Sequence, residues 1–96
     1  MQAMNLRKTA KGQPCLVRIP GVCNHDTETT VLAHLNGGGM GMKRPDLMSA
    51  FCCDACHSIL DRRAWSEYSR EELRLMHLDG VMRTQQWWLD NGYIKY

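Results

Sequence analysis

Five cysteines are the residues of this 96-residue sequence whose spacing most directly suggests chemistry. Cys53-Asp54-Ala55-Cys56 is a C-x-x-C pair, and Cys15 and Cys23 form a second, wider pair. Thiolates at these spacings can close a tetrahedral zinc site when one pair comes from a tight turn and the other from a helix start. The sequence therefore predicts one structural zinc ion bound by Cys15, Cys23, Cys53 and Cys56.

Other interpretations of the cysteines stay open. Cys52 and Cys56 are also at a permitted ligand spacing, so Cys52 is an alternative to Cys53. Reduced cysteines that pack as small hydrophobic residues are a second possibility. Disulfides are disfavoured because the number of cysteines is odd and no secretory signal is recognisable. A redox C-x-x-C is disfavoured because the βαβ context of such motifs is missing.

Histidines and acids form a second group with chemical potential. His57 and Asp61 are four residues apart, so on a helix they share a face and can bind a divalent ion together. A histidine at the end of an incoming strand, His34, could complete a site for hydrolysis. A plain surface pair, with Asp61 also bound to a nearby arginine, explains the same spacing equally well.

The elements that must position these residues are short. Residues 16–19 are rich in β-formers and precede the Pro20-Gly21 turn, which predicts a short strand and a corner that brings Cys15 towards Cys23. The β-branched run over residues 29–32 predicts a second strand that ends at His34. Four glycines within residues 36–41 predict a loop, and the Gly-Lys-Ser/Thr ending of a phosphate-binding loop is absent.

The second half of the sequence is predicted to be mostly helical. A short turn or helix is expected from Pro45 to Ser49, and a longer helix over residues 53–64 with Cys56, Leu60 and Ala64 facing the core. Ser69-Arg70-Glu71-Glu72 has the form of a capping box and predicts a helix that Gly80 ends. A last helix is expected from Val81 to Asp90, ending at Asn91-Gly92.

Composition limits the class of protein. With 44% hydrophobic and 23% charged residues and only short apolar runs, the chain is predicted to be one folded cytoplasmic domain without a membrane span. We expect a flexible basic arm over residues 1–13, a zinc-containing core over 14–66 and a helical extension over 67–96 that packs on the core. Arg7, Lys8 and Lys11 in the arm are either mobile surface charges or phosphate contacts.

The order of these motifs resembles the HNH (ββα-metal) endonucleases. The resemblance covers about residues 5–65 and rests on Cys15, Cys23, Ala33-His34, the glycine-rich loop, Lys43-x-x-Asp46 and Cys53-x-x-Cys56-His57-x-x-x-Asp61. More closely, the sequence resembles the small prophage-encoded nucleases of the YbcO type, which are related to the phage Ref nuclease. The resemblance implies an α+β fold: a small zinc-stabilised treble-clef (ββα-metal, HNH-like) domain with extra C-terminal helices.

The resemblance also implies roles for individual residues. His34 matches the general base, Asp46 lies near the residue that orients it, and His57 matches the histidine that holds the catalytic ion. Asp61 would be its second ligand, and a carboxylate suits magnesium or manganese. Ala33 departs from the family, since many members have a metal-binding His or Asp there. Apart from the resemblance, four basic residues flank this site, and each is either a phosphate contact or a solvated surface charge: Lys43, Arg44, Arg62 and Arg63.

Two functions of different class follow. The first is a metal-dependent DNA endonuclease that hydrolyses phosphodiester bonds, with zinc as structural ion and magnesium or manganese as catalytic ion. The second is a non-catalytic zinc module that binds nucleic acid or a phage protein, with Ala33 as the sign of lost catalysis. The expected partners are DNA and a phage or host recombination or replication protein, with no role for a membrane.

Overall fold

The computed structural model describes residues 6–35 and 45–95. The fold is α+β, with one two-stranded sheet and three α-helices among these residues. In chain order the elements are α1 (Leu6–Ala10), a 3-10 turn (Thr27–Thr29), β1 (Val31–His34), a second 3-10 turn (Asp46–Met48), β2 (Ser49–Cys52), α2 (Asp54–Leu60) and α3 (Arg70–Asp90).

The two strands are antiparallel and separate two hydrophobic clusters. Leu32 pairs with Phe51, and Ala33 pairs with Ala50. Successive side chains of a strand point to opposite faces of the sheet, so the first pair faces one cluster and the second pair faces the other. Leu32 and Phe51 pack with Leu6, Ala10, Leu16 and Trp88. Ala33 and Ala50 pack with a cluster that includes Val17, Val81 and four of the five cysteines.

The prediction of a strand over residues 16–19 is wrong. These residues form no strand, and β1 pairs with β2 instead. Only one backbone hydrogen bond joins that segment to the sheet, from Leu16 N to Phe51 O at 2.8 Å. Arg18 then has a φ of 54°, which ends the extended conformation. On the same edge of β2, Phe51 N donates to Thr84 Oγ1 of α3 at 3.0 Å. The outer edge of β2 is therefore covered by a loop and a helix.

The prediction of a flexible arm over residues 1–13 is also wrong from Leu6 onwards, where the chain forms α1. Leu6, Thr9 and Ala10 of α1 are buried, and Trp88 Nε1 donates to Thr9 Oγ1 at 2.7 Å. One helical turn contains too few apolar positions to show a period, so the sequence carried little signal for it. The first and last described helices are thus in direct contact.

The second helix is shorter than predicted. Cys53 is its N-cap, and α2 ends at Leu60 rather than near residue 64. Cys56 is buried and Leu60 half-buried, but Ala64 is exposed beyond the helix, and Ile59 is the buried residue of the last turn. The expectation that Ala64 faces the core is therefore wrong.

One helix, α3, replaces the two helices predicted around Gly80. The capping box at Ser69 and Glu72 starts it as expected, and it ends at Asn91-Gly92. Gly80 does not end the helix because it lies directly against Val17 and Ala50, where a side chain has no room. Of the helices in the described part of the chain, none is long and apolar enough to cross a membrane.

We expect Gly80→Ala to destabilise the fold. The added Cβ would lie 2.9 Å from Val17 Cγ2, 3.0 Å from Val17 Cα and 3.2 Å from Ala50 Cβ. Overpacking of this kind costs about 1–3 kcal/mol, and the better helix propensity of alanine offsets up to about 1 kcal/mol of it. Thermal unfolding should show a Tm several degrees lower, whereas Asp79→Ala at the exposed neighbouring position should leave it unchanged. Equal Tm values for the two variants would contradict this close packing.

Candidate metal centre and candidate active-site cleft

Four cysteines meet at one point in the structure. The Sγ atoms of Cys15, Cys23, Cys53 and Cys56 all lie within 4.8 Å of one another. The Sγ atoms of Cys23 and Cys53 are 3.9 Å apart, which is too far for a disulfide, and all five cysteines are free. The structure thus brings together the four cysteines that the spacing selects.

Local backbone structure explains how each pair is held. Cys53 caps α2, and its Sγ accepts a hydrogen bond from Cys56 N at 3.5 Å. Cys15 Sγ accepts one from Arg18 N, three residues on, at the same distance. The turn after Ile19, whose carbonyl accepts from the amide of Cys23 at 3.0 Å, returns the chain to the cluster. Local hydrogen bonds thus hold both pairs of cysteines in place.

The cluster fits a zinc ion. A tetrahedron with zinc–sulfur bonds of about 2.3 Å has sulfur atoms about 3.8 Å apart. The 3.9 Å separation of Cys23 and Cys53 is close to this value. Burial raises the pKa of Cys23 to about 11, so binding a metal there releases a proton. Four cysteines in this arrangement can hold a metal such as zinc.

Cys52 lies beside the cluster as a fully buried fifth thiol. Its side chain hydrogen-bonds to Cys15, which raises the pKa of Cys52 and lowers the pKa of Cys15. Burial adds to the increase for Cys52. Cys52 is not one of the four residues whose sulfur atoms converge, so the geometry favours Cys53 rather than Cys52 as the ligand.

A second constellation is centred on Asp46. His34 Nε2 lies 2.6 Å from Asp46 Oδ1, and Arg7 Nε lies 3.4 Å from the same oxygen. The hydrogen bond from His34 holds the pKa of Asp46 below its usual range, and the positive charge of Arg7 adds to this effect. Asp46 is therefore a carboxylate near neutral pH. It can only accept, so Nε2 of His34 donates this hydrogen bond, and in a neutral imidazole Nδ1 then has the free electron pair.

The predicted side-chain pair on α2 also forms. His57 Nε2 lies 3.2 Å from Asp61 Oδ2, and Arg63 lies 3.5 Å from the same carboxylate oxygen. Both side chains are partly exposed, at 27% for His57 and 45% for Asp61. This geometry is compatible with a surface ion pair and with two ligands for a divalent ion, the two interpretations that the spacing left open.

One open cleft of about 780 Å³ joins the two constellations. His34 from the end of β1 lines it together with His57 and Asp61 from α2. Arg7 and Lys11 line the same cleft, since the docking of α1 on Trp88 fixes that segment against the sheet. Polar groups that could bind a phosphate and activate a water thus share one surface.

Of the four residues predicted to contact phosphates, the structure describes Arg62 and Arg63. Lys43 and Arg44, like the predicted glycine loop, lie outside the described residues. Arg63 is paired with Asp61, and Arg62 lines a neighbouring cavity rather than the cleft. The basic residues that the structure adds to the cleft are Arg7 and Lys11, which the sequence placed in an arm of open role.

Sequence reasoning missed two contacts. His77 of α3 is buried, and its Nε2 donates to the carbonyl of Ala33 at 2.8 Å, directly before His34. Burial lowers the pKa of His77, so this side chain is neutral at pH 7. His25 Nδ1 lies 3.7 Å from the Sγ of Cys23. No spacing in the sequence connects residue 77 with residue 33, although the Cys23-x-His25 spacing could have been noticed.

Comparisons with known proteins agree on one family. The family described as "Putative nuclease YbcO" matches residues 4–93. Proteins of that name from Escherichia coli K12 and Enterobacteria phage 82 are each 46% identical over 97 residues, which cover 95% of this chain and 97% of the relative. A solved structure described as a "putative bacteriophage protein" from Escherichia coli is 43% identical, with a TM-score of 0.79 over 92% of this chain and 100% of that one. The chain belongs to the YbcO family.

Proposed function

We propose that this protein is a metal-dependent DNA endonuclease of the HNH (ββα-metal) type with a structural zinc ion. The observation that carries the proposal is the shared cleft, which is lined both by His34, the hydrogen-bond partner of Asp46, and by the His57–Asp61 pair. The name "Putative nuclease YbcO" of the relatives supports a nucleic-acid substrate. The two-stranded sheet followed by α2 has the element order of a ββα-metal site.

Phosphodiester hydrolysis needs an activated water, a counter-charge for the phosphate oxygens and stabilisation of the leaving oxygen. His34 is the general base. Asp46 accepts a hydrogen bond from Nε2 of His34, which leaves Nδ1 free to take a proton from water. His57 and Asp61 would hold magnesium or manganese, which supplies positive charge to the phosphate. Arg7 and Lys11 contact the neighbouring phosphates from the wall of the cleft.

A second candidate function is a non-catalytic zinc module that binds nucleic acid or a phage protein. Ala33 favours it, because this residue offers no ligand and its side chain is buried on the core face of β1. His57 and Asp61 then form a surface ion pair, and the cleft binds phosphates without cleaving them.

Nicking of supercoiled plasmid DNA separates the two functions. Purified protein with bound zinc, dialysed without chelator to remove loosely held ions, should convert supercoiled to open-circular DNA only after magnesium or manganese is added. Zinc content is measured in the same samples, so that loss of activity is not confused with loss of the fold. Binding without nicking under every divalent ion would reject the nuclease and support the module.

A further inference from the structure

A second cavity adjoins the cleft. It has a volume of about 280 Å³ and lies between the end of α2 and the first turns of α3. His34 lines the cleft, and the next residue, Leu35, lines the cavity. In the same way Asp61 lines the cleft and Arg62 lines the cavity. The two spaces thus lie next to each other where residues 34–35 and residues 61–62 pass between them.

The cavity concentrates unpaired positive charge. Arg62, Arg70 and Arg74 line it, opposed by one acid, Glu71. Within residues 6–35 and 45–95 none of the three arginines forms an ion pair, unlike Arg7 and Arg63. Guanidinium groups that share a cavity repel one another, and the attraction of an anion between them offsets that repulsion. Their planar donor pattern matches the oxygen atoms of a phosphate group.

The backbone at Arg62 supplies an independent observation. Arg62 N donates to Ile59 O at 3.1 Å, and Arg63 N donates to Ser58 O at 2.8 Å, which is the Schellman arrangement at the end of α2. Arg62 occupies its left-handed position with a φ of 61°, where glycine is the favoured residue. Arginine is therefore not the residue that the local backbone favours at this position, and a role for its side chain in the cavity would account for its presence.

We propose that this cavity binds a backbone phosphate of the nucleic acid that occupies the cleft, one step along the strand from the candidate active site. The proposal rests on the proposed function, since that function places nucleic acid in the cleft. It extends the contact surface to Arg70 and Arg74 of α3, which no motif in the sequence indicates. The positive end of the α3 dipole adds to the attraction for an anion.

The test measures binding separately from cleavage. A short fluorescein-labelled DNA duplex is titrated by fluorescence anisotropy without divalent ions, at several salt concentrations. Arg62→Gly, Arg70→Gln and Arg74→Gln should each weaken binding roughly three- to tenfold and lower the slope of log affinity against log salt by about one. Glu71→Gln should strengthen binding, because it removes the one negative charge of the cavity.

The matched control is Lys95→Gln, which removes the same charge beyond the opposite end of α3, a helix about 30 Å long. Arg62→Gly also tests folding, since glycine suits the left-handed backbone and the Tm should not decrease. Arginine variants that bind DNA like Lys95→Gln would overturn the proposal. It would equally be overturned if inorganic phosphate, titrated as a second probe, lost affinity in these variants while DNA did not.

The outcome is distinguishable from that of the proposed function. Loss of DNA affinity in the arginine variants of a protein that never nicks DNA supports the phosphate site and rejects the nuclease. Undiminished affinity in arginine variants that still nick DNA rejects the phosphate site and leaves the nuclease standing.

Discussion

His34→Ala is expected to abolish plasmid nicking while zinc content, fold and DNA binding stay unchanged. A positioned general base accelerates hydrolysis by about 10²–10⁴-fold, so its removal leaves activity near background. His34 lies at the end of β1 with 17% of its side chain exposed, and its side chain hydrogen-bonds to Asp46 rather than to the core. The fold should therefore tolerate the change. Nicking rate, bound zinc and Tm are measured on the same preparation.

Asp61→Ala is the matched comparison for this variant. A lost ligand lowers the occupancy of the divalent ion, which a higher concentration of the ion can restore by mass action. A lost base cannot be replaced in this way. Raising magnesium or manganese should thus partly rescue Asp61→Ala and do nothing for His34→Ala. A His34→Ala protein that nicks as fast as the parent would reject the assignment of the base.

Removal of the ion from the four-cysteine cluster is expected to unfold the domain. Structural zinc contributes about 10–16 kcal/mol of apparent binding free energy in small domains, which exceeds the total stability of most of them. The cluster connects residues before β1 with the start of α2, and its cysteines are part of a hydrophobic cluster. A strong chelator should therefore abolish the cooperative thermal transition, and Cys53→Ser should lose both zinc and stability.

Cys52→Ala provides the control. The Cys52 thiol touches the cluster but is not one of the four sulfur atoms that converge, so this variant should keep one zinc ion per chain. Its Tm should fall only by the effect of a small cavity. Elemental analysis that finds no zinc in the parent protein, or that finds zinc lost from Cys52→Ala and kept in Cys53→Ser, would contradict the ligand assignment.

Features with a local cause were predictable from the sequence. The capping box at Ser69 depends on two side chains three residues apart, and the α3 start follows it. The clustering of the four cysteines follows from a turn and a helix start. The strand Ser49–Cys52 was not predicted, because its four residues are all buried and show no alternation. The contacts of Arg7 and His77 depend on packing between distant segments, for which one sequence has no signal.

At Gly80 the sequence does carry a local signal, but this signal predicts the wrong structure. By composition it is a helix-ending residue, and the sequence alone predicts two helices. In the structure its missing side chain lets α3 approach Val17 and Ala50, and this contact stabilises an uninterrupted helix. Tertiary packing thus overrides local propensity at this position.

The hydrogen bond from Trp88 to Thr9 has a consequence for protein synthesis. α1, which carries Arg7 towards Asp46, is held by an indole that is translated 79 residues later. A chain still emerging from the ribosome can collect all four cysteines once residue 56 is exposed, yet α1 lacks its contacts with Trp88 until that residue has left the exit tunnel. Metal capture and completion of the cleft are therefore separated in time, and a nascent chain passes through a stage in which it can hold the ion without a finished cleft.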